Sequence, residues 1–215
     1  MITVWGEGRG FRVVWLLEEM GLPYRLRPVD LLAGAENDPE FLAINPAGLI
    51  PALQDGDTVI VESIAILDYL TTRYGPTLLA PAPDNPAYAR YQQFLHLGEA
   101  GLAGFAFMVF ADTVIAPEDR RESWLGSYAR ELFESRRGIV ARQLAQAPYM
   151  AGDTFTAADI SVTYALEFAK RNAGILLDEP ESAYLLRVRA RDGYRRAMDT
   201  CQATKVWVES LGEHM

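Results

Sequence analysis

The sequence predicts an α/β first domain followed by an all-α second domain. Three observations predict it. Residues 1–75 alternate short β-favouring runs with helical ones in the order β-α-β-α-β-β-α. From Pro86 onward nearly every segment has helical periodicity, and the proline-rich stretch 76–86 between the two reads as a linker. The expected domains are therefore residues 1–75 and 87–215.

Ile2-Thr3-Val4-Trp5 reads as the first strand. Gly6-Glu7-Gly8-Arg9-Gly10 then opens a helix carrying Phe11, Val14, Trp15 and Leu17 until Gly21-Leu22-Pro23 stops it. Tyr24 to Val29 reads as a second strand, and a strand-helix-strand unit of this length makes a right-handed parallel crossover. Asp38-Pro39-Glu40-Phe41-Leu42 fits a short helix with aspartate as cap and proline in the first turn. Pro51-Ala52-Leu53 and Val59-Ile60-Val61 flank the turn Asp55-Gly56-Asp57 as a hairpin. Ser63 is the expected N-cap of a helix whose Ile64, Leu67 and Leu70 share one face before Gly75-Pro76 ends it.

In the second region, Tyr88 to Phe110 and Glu118 to Ala147 read as an antiparallel helical pair broken at Ala116-Pro117. Thr156-Ala157-Ala158-Asp159 is a variant capping box that opens a buried helix from Ala157 to about Asn172. Two last helices are expected over about 183–192 and 193–201, with a tail reaching Trp207.

Composition narrows the function classes. Half of the 215 residues are apolar, enough for a packed core. No apolar run approaches the roughly 20 residues that span a bilayer, and no basic segment followed by an apolar one opens the chain. A cytoplasmic protein is expected. The net charge of −9 disfavours nucleic acid and anionic membranes as partners. Cys201 is the single cysteine, so it forms no intrachain disulfide, and an inert packed thiol is expected. His96 and His214 lack the spacing of a metal pair, and no metal is expected.

The stretch Asn45 to Ser63 is the richest in chemistry. A proline at the start of a strand removes one ladder donor and leaves the preceding main chain open to another partner. A cis Ile50–Pro51 bond would turn the Ile50 N–H and C=O toward a ligand. Glu62-Ser63 opens the next helix, whose start is a natural carboxylate site. Taken singly, a capping serine and a glutamate that complements the macrodipole account for both residues.

Three motifs together resemble the cytosolic glutathione transferases over nearly the whole chain. They are Arg12-Val13-Val14-Trp15-Leu16-Leu17-Glu18-Glu19 after the first strand, Asn45-Pro46-Ala47-Gly48-Leu49-Ile50-Pro51-Ala52-Leu53 followed by Glu62-Ser63, and Thr156-Ala157-Ala158-Asp159. The resemblance implies a thioredoxin-like first domain and glutathione as co-substrate. It implies that Ile50, before a cis Pro51, pairs with the cysteinyl unit, that Glu62 accepts from the γ-glutamyl ammonium, and that Ser63 binds the neighbouring carboxylate. Glu99 stands where the family reaches across a two-fold homodimer toward the same ammonium, although a solvated helix glutamate is the commoner case. Thr156 and Asp159 serve folding.

Two departures from the family pattern matter. Gly8 occupies the position where a serine, or in other classes a tyrosine or cysteine, donates to the glutathione sulfur. A free thiol titrates at about 8.5, so it needs help to ionise near neutrality. The remaining candidates are N–H groups of the glycine-rich turn and the cation of Arg9, which an exposed loop arginine explains equally. Leu49 stands where lysine is frequent near the glycyl end. The resemblance implies conjugation of the thiolate to a small apolar electrophile, in detoxification. The electrophile is expected in a cleft between the domains lined by Phe105, Phe107, Met108 and Phe110, for which ordinary helix core is the competing reading. A protein that binds glutathione or an apolar ligand without efficient chemistry is the alternative, and a purely structural module is a third.

Overall fold

The computed structural model describes residues 1–30, 34 and 38–202. The expected tail with Trp207 and His214 lies outside them. Contacts divide the chain into two compact units, residues 1–75 with 190–215, and residues 76–189.

In the first unit, β1 (Ile2–Trp5), α1 (Phe11–Met20), β2 (Tyr24–Arg27), α2 (Pro39–Ile44), β3 (Ala52–Asp55), β4 (Thr58–Val61) and α3 (Ser63–Arg73) follow the expected order. The sheet order is β2-β1-β3-β4. β1 runs parallel to β2 and antiparallel to β3, and β3 pairs antiparallel with β4. This is the thioredoxin-like arrangement. Val4, Leu53, Val13, Val14, Leu16, Leu17, Ile66, Leu67 and Leu70 are wholly buried, and each contributes about 1.5–3 kcal/mol by leaving water. A second cluster, Trp5, Phe41 and Ala52, has Val29, Ile44 and Ile50 packed against it. The Asp38 side chain caps α2 by accepting from Phe41 N at 3.0 Å, as its sequence predicts.

The first unit holds one element that sequence order places in the helical domain. α9 (Asp192–Thr200) packs on α1. Tyr194 stands edge-on to Phe11 at 5.4 Å and to Trp15 at 5.0 Å. Arg191 grips the Glu19 carboxylate through Nε at 2.8 Å and Nη2 at 2.7 Å, while Arg196 Nε reaches Glu18 at 2.7 Å. Cys201, at the end of α9, is fully buried, and burial beside Glu7 and Glu18 pushes its thiol well above the ordinary range.

In the second unit, α4 (Tyr88–His96) continues through a π-helical stretch, Leu97–Ala103, into α5 (Gly104–Phe110) and a second π-helical stretch, Ala111–Ile115. The whole is one 28-residue helix, long and apolar enough by length and composition to cross a bilayer. Arg90, Glu99 and Asp112 interrupt it, so no continuous apolar run within it reaches 20 residues. Its Tyr91, Phe94, Leu95, Leu102, Ala103, Ala106 and Val109 are buried, and it packs against α6 (Trp124–Leu144) and α7 (Ala157–Arg171). α6 starts later than Glu118, which opens only a single 3₁₀ turn, because the Ser123 hydroxyl caps Gly126 N and Ser123 N donates to Asp112. α8 (Glu179–Arg189) completes the unit.

The capping box at the start of α7 is present. Asp159 is fully buried, and its two oxygens accept from Met150 N at 2.9 Å, Thr156 N at 2.9 Å and the Tyr184 hydroxyl at 3.0 Å. Burial nevertheless pushes its carboxyl up to about 6, against the pull of those donors.

Candidate functional site

Strand register gathers the chemistry-bearing residues at one end of the first unit's sheet. Ala52, the first residue of β3, pairs with Val61 and with Trp5, so Ile50 and Pro51 lead into β3 at the same end of the sheet where β4 gives way to Glu62 and Ser63 and β1 to Gly6 and Glu7. The contacts agree. A methyl on Gly6 would lie 2.2 Å from Ile50 Cγ2, one on Gly8 would lie 3.4 Å from Ile50 Cδ1, and one on Gly10 would lie 3.4 Å from Pro51 Cβ. Gly6 and Gly8 also have φ of 84° and 60°, so the turn needs glycine at both for conformation, and at Gly6 for room as well.

The Ile50–Pro51 bond is cis. Ile50 is half-buried, its side chain packed against the Trp5–Phe41 cluster, and its main chain hydrogen-bonds to none of the described residues. Asn45 supports the approach, with Nδ2 donating to Leu49 O at 2.6 Å and Oδ1 accepting from Ala47 N at 3.1 Å. Leu49 itself is 66% exposed.

Across the register, Glu62 is exposed and adopts φ 70°, ψ 111°, a conformation rare for a residue with a side chain. It occupies the N-cap position, so Ser63 is the first residue of α3 and not its cap, a correction to the sequence reading. The reason is that the Ser63 hydroxyl is engaged elsewhere. It is buried and accepts from Arg12 Nη1 at 3.0 Å. The first bond into the helix runs from Ile66 N to Glu62 O, so the N–H groups of Ser63, Ile64 and Ala65 precede it and mark the positive end of α3. Arg12 was legible only as a marker within an apolar helical run. An arginine on the buried face of such a run is the signal that it serves a site.

The turn between β1 and α1 is a 3₁₀ turn, Gly8–Gly10, with Gly10 N donating to Glu7 O at 3.0 Å. Arg9 is half-buried on it, Glu7 is buried, and no hydroxyl or thiol side chain stands between Trp5 and Phe11.

The remaining expected residues lie in the second unit. Glu99 is half-buried within the π-helical stretch after α4. Phe107 and Phe110 join Phe168 of α7 at ring distances of 6.3 and 5.7 Å, with Tyr164 beside Phe168, and all four are at least partly exposed. Phe105 faces another way, with the Arg136 guanidinium 4.8 Å from its ring centre on α6, so the structure splits the expected aromatic lining. Met108 is half-buried. Among the described residues no group of three or more His, Cys, Asp or Glu could hold a metal ion.

Residues 2–72 match the family model described as glutathione S-transferase, N-terminal domain. The chain is 34% identical over 154 residues to glutathione S-transferase 3 of Zea mays, covering 69% of this chain and 68% of the relative. It is 31% identical over 173 residues to glutathione S-transferase GstB of Escherichia coli, covering 75% and 80%. Among solved structures, the theta class glutathione S-transferase of Xanthomonas axonopodis pv. citri, with glutathione bound, superposes with a TM-score of 0.77 at 30% identity, covering 91% of this chain and 96% of that one. Fold, first-domain model and relatives agree, and the chain belongs to the glutathione S-transferase family.

Proposed function

We propose that this protein binds glutathione at the Ile50, Glu62 and Ser63 end of its first unit and conjugates the sulfur to a small apolar electrophile. The observation that carries the reading is the meeting, at one end of the paired strands β3 and β4, of open main chain at Ile50 with the positive end of α3 and the exposed Glu62 carboxylate. An extended peptide pairs its main chain with the first. Its α-carboxylate suits the second and its ammonium the third. Ser63 acts through its N–H and its hydroxyl, which the Arg12 bond holds in place.

In the transfer, the thiolate forms a bond to an electrophilic carbon and the leaving group departs with the bonding pair. The thiol proton is lost to solvent beforehand. Gly8 offers no hydroxyl, so main-chain N–H groups of the Gly8–Gly10 turn and the Arg9 cation are the donors we assign to the sulfur. Rate acceleration then rests on proximity as much as on thiolate stabilisation. The partly exposed aromatic group of Phe107 and Phe110, with Met108, supplies apolar contact for the electrophile. Phe105, engaged by Arg136, borders that lining. We assign the protein to a cytoplasmic homodimer serving detoxification, with Glu99 directed to the partner's ligand. Sedimentation showing a monomer at micromolar concentration would reject the dimer.

The absence of a side-chain donor at Gly8 favours one second reading, a glutathione-binding protein with little turnover. Calorimetry with glutathione and turnover with several aryl halides separate the two. Heat with conjugation supports transfer, and heat without conjugation supports the binder. No heat and no thermal shift at millimolar glutathione removes both.

A further inference from the structure

Arg120-Arg121-Glu122-Ser123-Trp124 sets two arginines three and two positions before a serine, with a large apolar ring just after it. Of the four paired basic dipeptides in the chain, 120–121, 136–137, 170–171 and 195–196, this is the one followed two residues on by a hydroxyl. The other three lie inside α6, α7 and α9, whereas this one lies in the connection that leads into α6, where residues 117–122 are all exposed. Arg121 and Ser123 are extended, with ψ of 166° and 163°, and Trp124 is 75% exposed. Two cations, a hydroxyl and an apolar side chain in extended order are what a kinase with acidic subsites and an apolar pocket reads.

The serine also holds a corner of the fold. Ser123 N lies 3.2 Å from both Asp112 oxygens, and the Ser123 hydroxyl donates to Asp112 Oδ1 while accepting from Gly126 N at 3.3 Å. These bonds tie the end of the long helix to the start of α6. The corner is full, since a methyl on Gly126 would lie 2.1 Å from Asp112 Oδ2. It is also strained, because Glu122 is held at φ 55°, a costly conformation for a residue with a side chain. Arg121 closes the loop by donating to Ala116 O at 2.9 Å and Val114 O at 3.2 Å, bonds that lie at the surface where water can replace them. Opening this short segment therefore relieves strain and frees the hydroxyl.

We propose that Ser123 is a phosphorylation site, read through Arg120, Arg121 and Trp124 by a basophilic serine kinase, and that the phosphoryl group parts α6 from the long helix. Ser123 Oγ bonds to the γ-phosphorus of a nucleoside triphosphate, the bond to the bridging oxygen breaks, and the diphosphate leaves with the electron pair. The hydroxyl proton goes to the base of the kinase. The product carries a charge of about −1.5 to −2 at the place where the Asp112 carboxylate already meets Ser123 N. The amino end of α6 attracts either anion but has room for one, so like-charge repulsion breaks the tie.

The test incubates the full chain with ATP, magnesium and the catalytic subunit of cyclic-AMP-dependent protein kinase, a basophilic serine kinase, and follows intact mass, peptide maps and thermal unfolding. One phosphoryl group is expected on Ser123, and none at that position in Ser123→Ala. Arg120→Ala, a surface change that leaves the fold intact, is expected to slow incorporation by about tenfold or more. The phosphorylated chain is expected to unfold about 5 °C below the unmodified one. In Asp112→Asn, which lacks the opposing carboxylate, the same modification is expected to move the midpoint much less. No incorporation, incorporation only at other residues, or an Arg120→Ala protein modified as fast as the native one overturns the site. An unmoved midpoint in the phosphorylated chain, or an equal fall in Asp112→Asn, overturns the parting of α6 by Asp112.

Discussion

Arg12 Nη1 donates to Ser63 Oγ across 3.0 Å, joining the start of α1 to the start of α3 where both side chains are buried. The bond couples fold to site, since it fixes the first residue of the helix whose amino end meets the proposed ligand. Ser63→Ala removes an acceptor from a charged donor, a loss of about 1–3 kcal/mol. Urea unfolding should show that loss. Calorimetry should show glutathione binding weakened far more by Ser63→Ala than by Arg9→Ala, and equal effects of the two would count against placing the ligand at α3.

Glycine in the β1–α1 turn answers two separate demands, and substitution separates them. Gly6 and Gly21 share a positive φ, but only at Gly6 would a methyl meet another side chain, at 2.2 Å from Ile50. Left-handed backbone costs about 1–2 kcal/mol at either position, and overpacking adds about 1–3 kcal/mol at Gly6 alone. Gly6→Ala should therefore lower the urea midpoint well beyond Gly21→Ala.

At Gly8 the nearest atom to an added Cβ is 3.4 Å away, ordinary contact, so Gly8→Ser carries the backbone cost without the clash. If a hydroxyl there reaches the sulfur, the pH profile of turnover shifts to lower pH. An unmoved profile would show that the turn's main chain already does this work or that the sulfur lies elsewhere.

Asp159 makes stability fall as pH rises through a defined window. Its carboxyl titrates at about 6 in the fold against about 3.9 in the unfolded chain, so between these values the folded state binds more protons. Stability contributed by this group is fully present below pH ~4 and is lost by pH ~6, a change of about 3 kcal/mol. Glu181, also raised by burial, adds in the same direction. Asp159→Asn should flatten the dependence of urea midpoint on pH between about 4 and 6. An unchanged slope would mean that the donors around Asp159, Met150 N, Thr156 N and the Thr156 and Tyr184 hydroxyls, keep it ionised throughout.

Most of the first unit was legible because its signals are local. Asp55-Gly56-Asp57 names its own hairpin, Asp38 its cap, and the apolar spacing of α3 its buried face. The site was legible as residue types, Glu62 and Ser63 beside Ile50 and Pro51, but not as roles. Whether Ser63 caps the helix or receives Arg12 depends on a partner 51 positions away. The same limit hid the split between Phe105 and Phe107, since the winding of the helix and its π-helical stretches decide which neighbour each ring meets.

The docking of α9 was illegible for this reason, and it yields the last prediction. Phe11, Trp15 and the two glutamates that end α1 lie on a face that residues 1–75 do not cover by themselves. Tyr194 closes the aromatic part, and Arg191 and Arg196 close the acidic part. Tyr194→Ala should cost about 3 kcal/mol, by analogy with other buried aromatic truncations. Arg191→Ala should cost less, about 1–2 kcal/mol, because its side chain is a third exposed and solvent replaces part of the pair. A chain cut after Arg189 exposes Trp15, so it should unfold at much lower urea, or aggregate, even though every residue of the proposed glutathione site is retained. A truncated protein as stable as the full chain would show that α9 is a passenger on α1 and not part of its core.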